Sequence, residues 1–333
     1  MFLKVLNFFF YSLILPIGLL TGSLSCGSSE IHSVPPGSNY ADLKVVGGIV
    51  VSNNEPSEIL LSSVGLTTQK QNMLGKTFCS AVIISHRILL TAAHCVEKYR
   101  VDSSANLLNL MAVFGNKENS KSDSRKSAAI RVRGIAIHKE YRQILSREKL
   151  EKHPANDIAL LYLTKPIAMP FKPVRLVRTQ ESVSYFSHIV IAGFGVTGGL
   201  ISDDSGILRA VDVSKIYENP LAKTIELEGP VLDGKRIAEN DDGSYSYQVA
   251  TGGSCGGDSG GPAYVWTNSG FKLLGITAFG DSQRLARNPD GPSYCVGGSF
   301  VTDLRYYERY ILNAANSLEK RMGESTQVFV TTF

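Results

Sequence analysis

The chain has 333 residues, about twice the usual domain length, which allows one large domain or two of medium size. Hydrophobic residues make up 43% and charged residues 19%, and this balance excludes a disordered or fibrous chain because it supports a packed core. The formal net charge of +4 is too small to indicate a nucleic-acid-binding protein. The 31 glycines and 13 prolines suit many short strands and turns, so the composition favours a β-rich globular protein.

The first 25 residues have the features of an export signal. Lys4 supplies a weakly positive start, and an apolar stretch over 5–20, broken by Pro16, leads into small residues. This pattern predicts a signal peptide over 1–25 and export across the cytoplasmic membrane, with a retained membrane anchor as the alternative. Residues 26–44 are rich in Ser, Gly and Pro, which predicts a linker or propeptide.

Cys26 allows two interpretations. The small residues before it fit ordinary signal cleavage, which would make Cys26 the first residue of a secreted protein. The same stretch resembles a bacterial lipobox, in which the Cys carries a lipid and anchors the protein to the cell envelope. The chain has five cysteines, and four of them can pair in an oxidising compartment, so the odd one is most simply Cys26. Lipid anchoring through Cys26 is therefore one expectation and free secretion is the other.

Short apolar runs of β type recur between turn residues from position 45 onward. They lie at 81–84, 88–90, 111–114, 130–137, 158–163, 189–192, 207–213, 263–266, 273–279 and 299–301. Because no helices of 10–15 residues alternate with them, the pattern predicts a sandwich or barrel rather than a doubly wound sheet. A proline-marked stretch over 166–173 divides the body into two predicted β units, 45–169 and 170–333. Only 304–322 shows helical spacing, which predicts an amphipathic C-terminal helix that ends before Gly323.

Three segments supply one His, one Asp and one Ser. His94 follows an apolar strand in LTAAHC, Asp157 opens another strand in NDIAL, and Ser259 lies in the glycine-dense turn GDSGGP. A serine hydroxyl is a poor nucleophile at neutral pH, but a histidine can take its proton and later give it to the leaving amine. A buried carboxylate fixes the tautomer of that histidine and stabilises the imidazolium. The set therefore indicates acyl transfer.

The order of the three residues excludes another class of hydrolase. GDSGG also satisfies the G-x-S-x-G pattern of α/β-hydrolases, but those enzymes run Ser, acid, His along the chain. Here the order is His94, Asp157, Ser259. The glycines around the serine let backbone N–H groups approach a developing oxyanion, and losing one such donor costs roughly 3 kcal/mol of barrier.

The motifs TAAHC, NDIALL and GDSGGP, in this order, resemble those of trypsin/chymotrypsin-family serine proteases. The likeness covers about 45–311 and extends to FCSAVI, AGFG and LGITAFG. It implies an all-β fold of two six-stranded antiparallel β-barrels with a C-terminal α-helix and the active site between the barrels. It further implies a serine endopeptidase with a triad of His94, Asp157 and Ser259, an acyl-enzyme, and an oxyanion bound by the N–H groups of Gly257 and Ser259.

The same resemblance implies two disulfide bonds. One joins Cys79 to Cys95, between a strand and the histidine loop. The other joins Cys255 to Cys295, between the serine loop and the wall of the specificity pocket. In the chain-entropy model such loops contribute roughly 3–4 kcal/mol each, and because each bond flanks a catalytic segment, both would also hold the catalytic geometry.

The segment KVVGG resembles the family's activation site. Cleavage after Lys44 would free the ammonium of Val45, which would pair with the carboxylate of Asp258 and orient the oxyanion donors. The resemblance therefore implies a zymogen.

The prediction of specificity rests on the residue six positions before the nucleophile. In trypsin-like members this residue is acidic and binds a Lys or Arg side chain of the substrate. Here it is Gly253, so a neutral P1 residue, apolar or aromatic, is expected, and a separate trypsin-like protease would be needed to cut after Lys44. The predicted pocket consists of Gly253, Phe279, Gly280 and Gly298. An insertion over 281–294 contains Asp281 and Asp290, either of which could restore acidity from another direction.

Two further features complete the prediction. Ala278 occupies the position where a serine commonly hydrogen-bonds the triad carboxylate. The family's calcium-binding acids are lacking near Asn116, so no metal is expected, and no cofactor is expected either. The rival functions are a protease-fold binding module that has lost catalysis and an esterase that uses the same site.

Overall fold

The computed structural model describes most of the predicted catalytic body. The described residues are 48–51, 57–99, 109–116, 128–144, 153–184, 187–196, 205–229, 231–239, 245–267, 270–280 and 298–323. The predicted signal peptide and linker, the predicted activation residues Lys44 and Val45, and both Cys26 and Cys295 lie outside the described residues.

The first barrel consists of antiparallel strands that follow one another along the chain. Its strands are β2 (Ser63–Lys70), β3 (Met73–Leu74), β4 (Cys79–Ile83), β5 (Ile88–Thr91), β6 (Leu110–Phe114), β7 (Ala128–Ile137) and β8 (Ala159–Leu163). Six of them follow the order β2-β4-β5-β8-β7-β6, and β6 pairs back to β2, which closes the barrel. The short strand β3 extends β2 through a turn at Gln71 and Asn72, both with positive φ. Helix α1 (Glu58–Ser62) precedes β2, and helix α2 (Ala93–Val96) follows β5.

The second barrel has the same closed arrangement. Its strands are β9 (Ile189–Gly193), β10 (Arg209–Asn219), β11 (Thr224–Glu228), β14 (Pro262–Thr267), β15 (Gly270–Gly280) and β16 (Ser299–Asp303). Their order is β10-β11-β16-β15-β14-β9, and β9 pairs back to β10. Strand β1 (Ile49–Val50) also pairs with β10, so the predicted unit 45–169 contains a strand that hydrogen-bonds to the second barrel. Strands β12 (Val231–Glu239) and β13 (Tyr245–Thr251) form a separate hairpin between β11 and the serine loop.

The C-terminal helix α3 spans Glu308–Arg321 and packs its apolar face on the barrels. The predicted helix began at Leu304, but residues 304–306 form a 3-10 turn, because the Asp303 carboxylate accepts a hydrogen bond from the Arg305 N–H and ends β16 there. The helix stops before Gly323, which has a φ of 77°. None of the helices in the described part of the chain is long and apolar enough to cross a membrane.

The core explains why the two barrels stay together. Strands β4, β5 and β8 are buried on both faces, because one face points into the first barrel and the other meets the second barrel. A single apolar cluster joins residues of both barrels and α3, among them Leu90, Leu160, Tyr264, Leu273 and Ile311. The predicted fold of two six-stranded antiparallel β-barrels with a C-terminal helix is therefore confirmed.

Candidate active site

His94 and Asp157 meet through two hydrogen bonds. The ring Nδ1 of His94 lies 2.7 Å from Asp157 Oδ2, and the backbone N–H of His94 donates to Asp157 Oδ1 at 2.9 Å. The Asp157 side chain is 8% exposed and that of His94 is 30% exposed. A carboxylate that receives both bonds places the ring proton on Nδ1 and leaves Nε2 as a proton acceptor.

The surroundings of His94 act on its pKa in opposite directions. Burial lowers the pKa, because it disfavours the charged imidazolium, whereas the hydrogen bond and charge of Asp157 and the charge of Glu97 raise it. The net pKa of His94 lies above its ordinary value. The site therefore favours the imidazolium that forms when this ring takes a proton.

The second barrel fixes the backbone around Asp157. Thr302 of β16 donates its hydroxyl to the Asp157 carbonyl at 3.2 Å. Tyr307, just before α3, donates its phenol to Asn156 Oδ1 at 3.0 Å. Asn156 has a φ of 48°, and this left-handed conformation turns the chain into β8 with Asp157 pointing at His94. The carboxylate is thus carried by the first barrel and held from the second.

Ser259 lines the same cavity as His94. Its carbonyl accepts the backbone N–H of Ser80 at 2.8 Å and lies 3.5 Å from Cys95 Sγ. The same sulfur lies 3.7 Å from His94 Nε2. One disulfide sulfur therefore lies next to both the backbone carbonyl of Ser259 and the ring of His94.

Two backbone N–H groups, of Gly257 and Ser259, lie on either side of Asp258 in the serine loop. Gly257 has a φ of 95°, and a Cβ there would come within 2.9 Å of Gly195 Cα, so the position requires glycine. Within the described residues, the N–H groups of Gly257 and Ser259 form no hydrogen bond. They are therefore available to an oxyanion.

Asp258 is buried and anchors the loop that carries these donors. Its Oδ1 accepts the Gly195 N–H and its Oδ2 accepts the Cys255 N–H, each at 2.8 Å. The side chain is 2% exposed. Its predicted partner after activation, Val45, lies outside the described residues.

A cavity of about 390 Å³ lies between the barrels and contains all three predicted catalytic side chains. The first barrel contributes His94, Tyr141, Arg142, Gln143, Ile144, Ala155 and Asp157, and the second contributes Ser254, Cys255, Gly256, Ser259, Thr277, Ala278, Phe279 and Gly280. The loop over 141–144 was not predicted as part of the site, because it carries no motif and joins the cavity only through the fold.

The sequence model of the Trypsin family matches residues 52–294, more than half of the chain. The chain belongs to the trypsin family. Among curated relatives, a trypsin of Simulium vittatum is 28% identical over 204 residues, which cover 61% of this chain and 70% of that protein. With the double-barrel fold, this membership makes the chain a serine endopeptidase, a hydrolase that acts on protein or peptide substrates.

Two of the four residues predicted for the specificity pocket of this trypsin-family chain line the cavity. These are Phe279 and Gly280, and the Phe279 ring stacks on Phe300 at 4.7 Å. Gly253 and Gly298 are buried and do not line the cavity. The aromatic wall therefore comes from Phe279 of β15, against which Phe300 of β16 stacks.

Among the described residues, a pair of serine hydroxyls meets at the wall of this pocket. Ser254 lines the cavity and donates both its N–H and its hydroxyl to Ser299 Oγ, at 2.8 Å and 2.9 Å. Sequence reasoning missed the buried Glu226 of β11, because TIELE lies outside every recognisable motif. Its Oε1 lies 3.3 Å from the point where a Cβ on Gly298 would be, so a carboxylate stands behind that glycine without lining the cavity.

The predicted disulfide between Cys79 and Cys95 is confirmed. Cys255 is also disulfide-bonded, and its predicted partner, Cys295, lies outside the described residues. Cys79, Cys95 and His94 cluster as closely as metal ligands do, but both sulfurs belong to the disulfide and offer no thiolate.

Proposed function

We propose that this endopeptidase cuts peptide bonds with His94, Asp157 and Ser259 as its catalytic triad. The observation that carries the proposal is the 2.7 Å hydrogen bond from His94 Nδ1 to Asp157 Oδ2, in the cavity that Ser259 lines. With the ring proton on Nδ1, Nε2 takes the Ser259 proton as the hydroxyl attacks the scissile carbonyl. The imidazolium then protonates the leaving amine, and a water molecule hydrolyses the acyl-enzyme by the same route.

The oxyanion of each tetrahedral intermediate is bound by the N–H groups of Gly257 and Ser259. Their availability within the described residues supports this role. Such donors stabilise the transition state more than the substrate, because the carbonyl oxygen gains its charge only as the bond forms.

The enzyme is made as a zymogen that is activated by cleavage after Lys44. The freed ammonium of Val45 then pairs with Asp258. Support comes from the position of Asp258, a buried carboxylate that already bonds two N–H groups in and beside the oxyanion loop. A new buried charge partner for it would change the stability of that loop directly.

The enzyme prefers a neutral P1 residue, and a separate trypsin-like protease cuts after Lys44. Support comes from the uncharged Gly253 and from Ser254, a lining residue whose hydroxyl bonds Ser299. Among the described lining residues, the one acid is Asp157, which is committed to His94. A buried basic P1 side chain would therefore lack a counter-charge there.

The chain is exported and is either secreted or anchored to the cell envelope through a lipid on Cys26. The apolar segment over 5–20 and the small residues that follow it support export. An intact-mass measurement distinguishes the two destinations, because an acylated N-terminal Cys26 carries the mass of its lipid and an unmodified one does not.

Labelling with an organophosphonate tests the triad and the zymogen together. The purified chain is labelled before and after trypsin treatment, and N-terminal sequencing checks for cleavage after Lys44. We expect the label on Ser259, more of it after cleavage, and none on S259A. Equal labelling of both forms would contradict the zymogen, and no labelling of either form would favour a binding module that has lost catalysis.

A peptide library with the activated enzyme tests the pocket. We expect cleavage after large apolar or aromatic residues, and faster turnover of peptide anilides than a simple esterase would show. A strong preference for Arg or Lys would contradict the neutral pocket. In that case the E226Q variant identifies the source, because loss of the basic preference would trace it to the carboxylate behind Gly298.

A further inference from the structure

Ser80 has a buried hydroxyl that the proposed mechanism does not use. It lies in β4 of the first barrel, directly after Cys79 of the disulfide, and is 0% exposed. Its backbone is fixed on both sides, because its N–H donates to the Ser259 carbonyl at 2.8 Å and its carbonyl accepts the Thr91 hydroxyl at 2.7 Å.

The hydrogen bonds of the Ser80 hydroxyl have a defined direction. Its Oγ accepts the backbone N–H of Phe194 at 2.9 Å. Its own proton is therefore donated to the other neighbour, the Gly257 carbonyl, also at 2.9 Å.

The Gly257 carbonyl belongs to the peptide that joins Gly257 to Asp258. The N–H of that same peptide donates to the Cys255 carbonyl at 3.0 Å. Because a peptide unit is planar, holding its oxygen and its N–H at opposite edges fixes the orientation of the whole unit. The N–H of Gly257 lies immediately before this peptide and the N–H of Ser259 immediately after it.

We propose that Ser80 is the positioning residue of the oxyanion hole. Its hydroxyl fixes the peptide between Gly257 and Asp258, so that both flanking N–H groups converge on one point. The inference rests on the proposed function, because it assigns Ser80 to the oxyanion site of that reaction. It also explains how a residue of the first barrel acts on a loop of the second.

The decisive variant is S80A, and S63A is its matched control. Ser63 is equally buried in the first barrel and its hydroxyl contacts the Tyr264 phenol at 3.1 Å, so S63A also loses one buried hydroxyl contact. We expect S80A to lower kcat on a peptide substrate about 10- to 100-fold with KM within about threefold, because a misplaced oxyanion donor weakens only the transition state. S63A should keep kcat close to that of the original chain.

A peptide boronic acid, which forms a tetrahedral adduct with the serine, gives the second readout. We expect its affinity for S80A to fall by the same factor as kcat, whereas a merely structural role would lower the folded fraction and leave the affinity of folded molecules unchanged. Equal kcat and equal adduct affinity in S80A and S63A would overturn the proposal.

A second variant, S80G, keeps the proposal testable if S80A folds poorly. S80A leaves the Phe194 N–H and the Gly257 carbonyl without a partner. S80G makes room for a water molecule that can bridge these two groups, so the fold is retained while the peptide is held less firmly. We expect S80G to bind the boronic acid more weakly than the original chain, and equal affinity would refute Ser80 as a positioning residue. If the original chain itself neither turned over peptides nor labelled at Ser259, the proposed function would fail, and this inference with it.

Discussion

Replacing Asp157 by Asn tests the geometry of the site most directly. The change keeps the size of the side chain but leaves one oxygen for two donors, His94 Nδ1 at 2.7 Å and the His94 N–H at 2.9 Å. When the amide oxygen takes the backbone N–H, its NH₂ group faces Nδ1. The ring proton then moves to Nε2, which can no longer accept the proton of Ser259.

The expected loss is large. In the Ser-His-Asp triad of chymotrypsin-type proteases, the same substitution lowers kcat about 10⁴-fold, which corresponds to about 5 kcal/mol of activation free energy. The pH dependence should change as well. Asp157 supplies the hydrogen bond and the larger of the two charges that raise the pKa of His94, and burial lowers that pKa. Without the carboxylate the pKa of His94 falls, so the acid limb of the activity profile moves to lower pH.

The assay is kcat/KM as a function of pH on a peptide anilide. The original chain should gain activity through a His94 pKa above the ordinary histidine value, and D157N should gain its residual activity at lower pH. D212N is the matched control, because Asp212 pairs with His188 on the surface in a second His–Asp contact and neither residue lines the cavity. A loss below tenfold in D157N, or an equal loss in D212N, would refute the reasoning.

Three other variants have defined outcomes. E97Q removes an exposed charge that raises the pKa of His94, so the acid limb of the activity profile should move to lower pH. The shift should be smaller at high salt, which a pH–rate series at two ionic strengths would show. Y307F leaves the buried Oδ1 of Asn156 without its 3.0 Å donor and should lower the free energy of unfolding by about 1–3 kcal/mol in denaturant titrations. An unchanged free energy would contradict this and would mean that a water molecule replaces the phenol. G260A should cost at least about 3 kcal/mol, because φ is 78° there and a Cβ would overlap neighbouring backbone; a normal melting temperature would contradict this.

The strands that the sequence predicted are those with continuous apolar runs. The buried runs at 88–90 and 158–163 correspond to β5 and β8, which pack against both barrels. Strand β2, SVGLTTQK, was missed because its buried residues include Ser63 and Thr67, which satisfy their hydroxyls inside the protein and interrupt the apolar pattern. Residues 304–306 had a helical pattern but form a 3-10 turn, because the side chain of the residue before them caps it.

The candidate site likewise contains some residues that the sequence predicted and others that it did not. His94, Asp157 and Ser259 could be predicted, because each lies in a dense motif whose residue types have a chemical meaning. Ser80 and Thr302 could not, because their effect depends on which backbone atoms lie next to them after folding. A hydroxyl near a carbonyl 177 positions away along the chain leaves no pattern in the sequence.

Each barrel holds groups of the other that we propose are catalytic. Thr302 of the second barrel fixes the backbone of Asp157 in the first, and Ser80 of the first fixes Ser259 and Gly257 in the second. A shift of one barrel against the other would therefore disturb the acid and the oxyanion loop together. Because misplacement by about 1 Å can cost a hundredfold in rate, we expect the apolar cluster that joins the barrels and α3 to support the proposed catalysis as well as stability. Such a dual contribution would allow a cleft built from two barrels to work as one site.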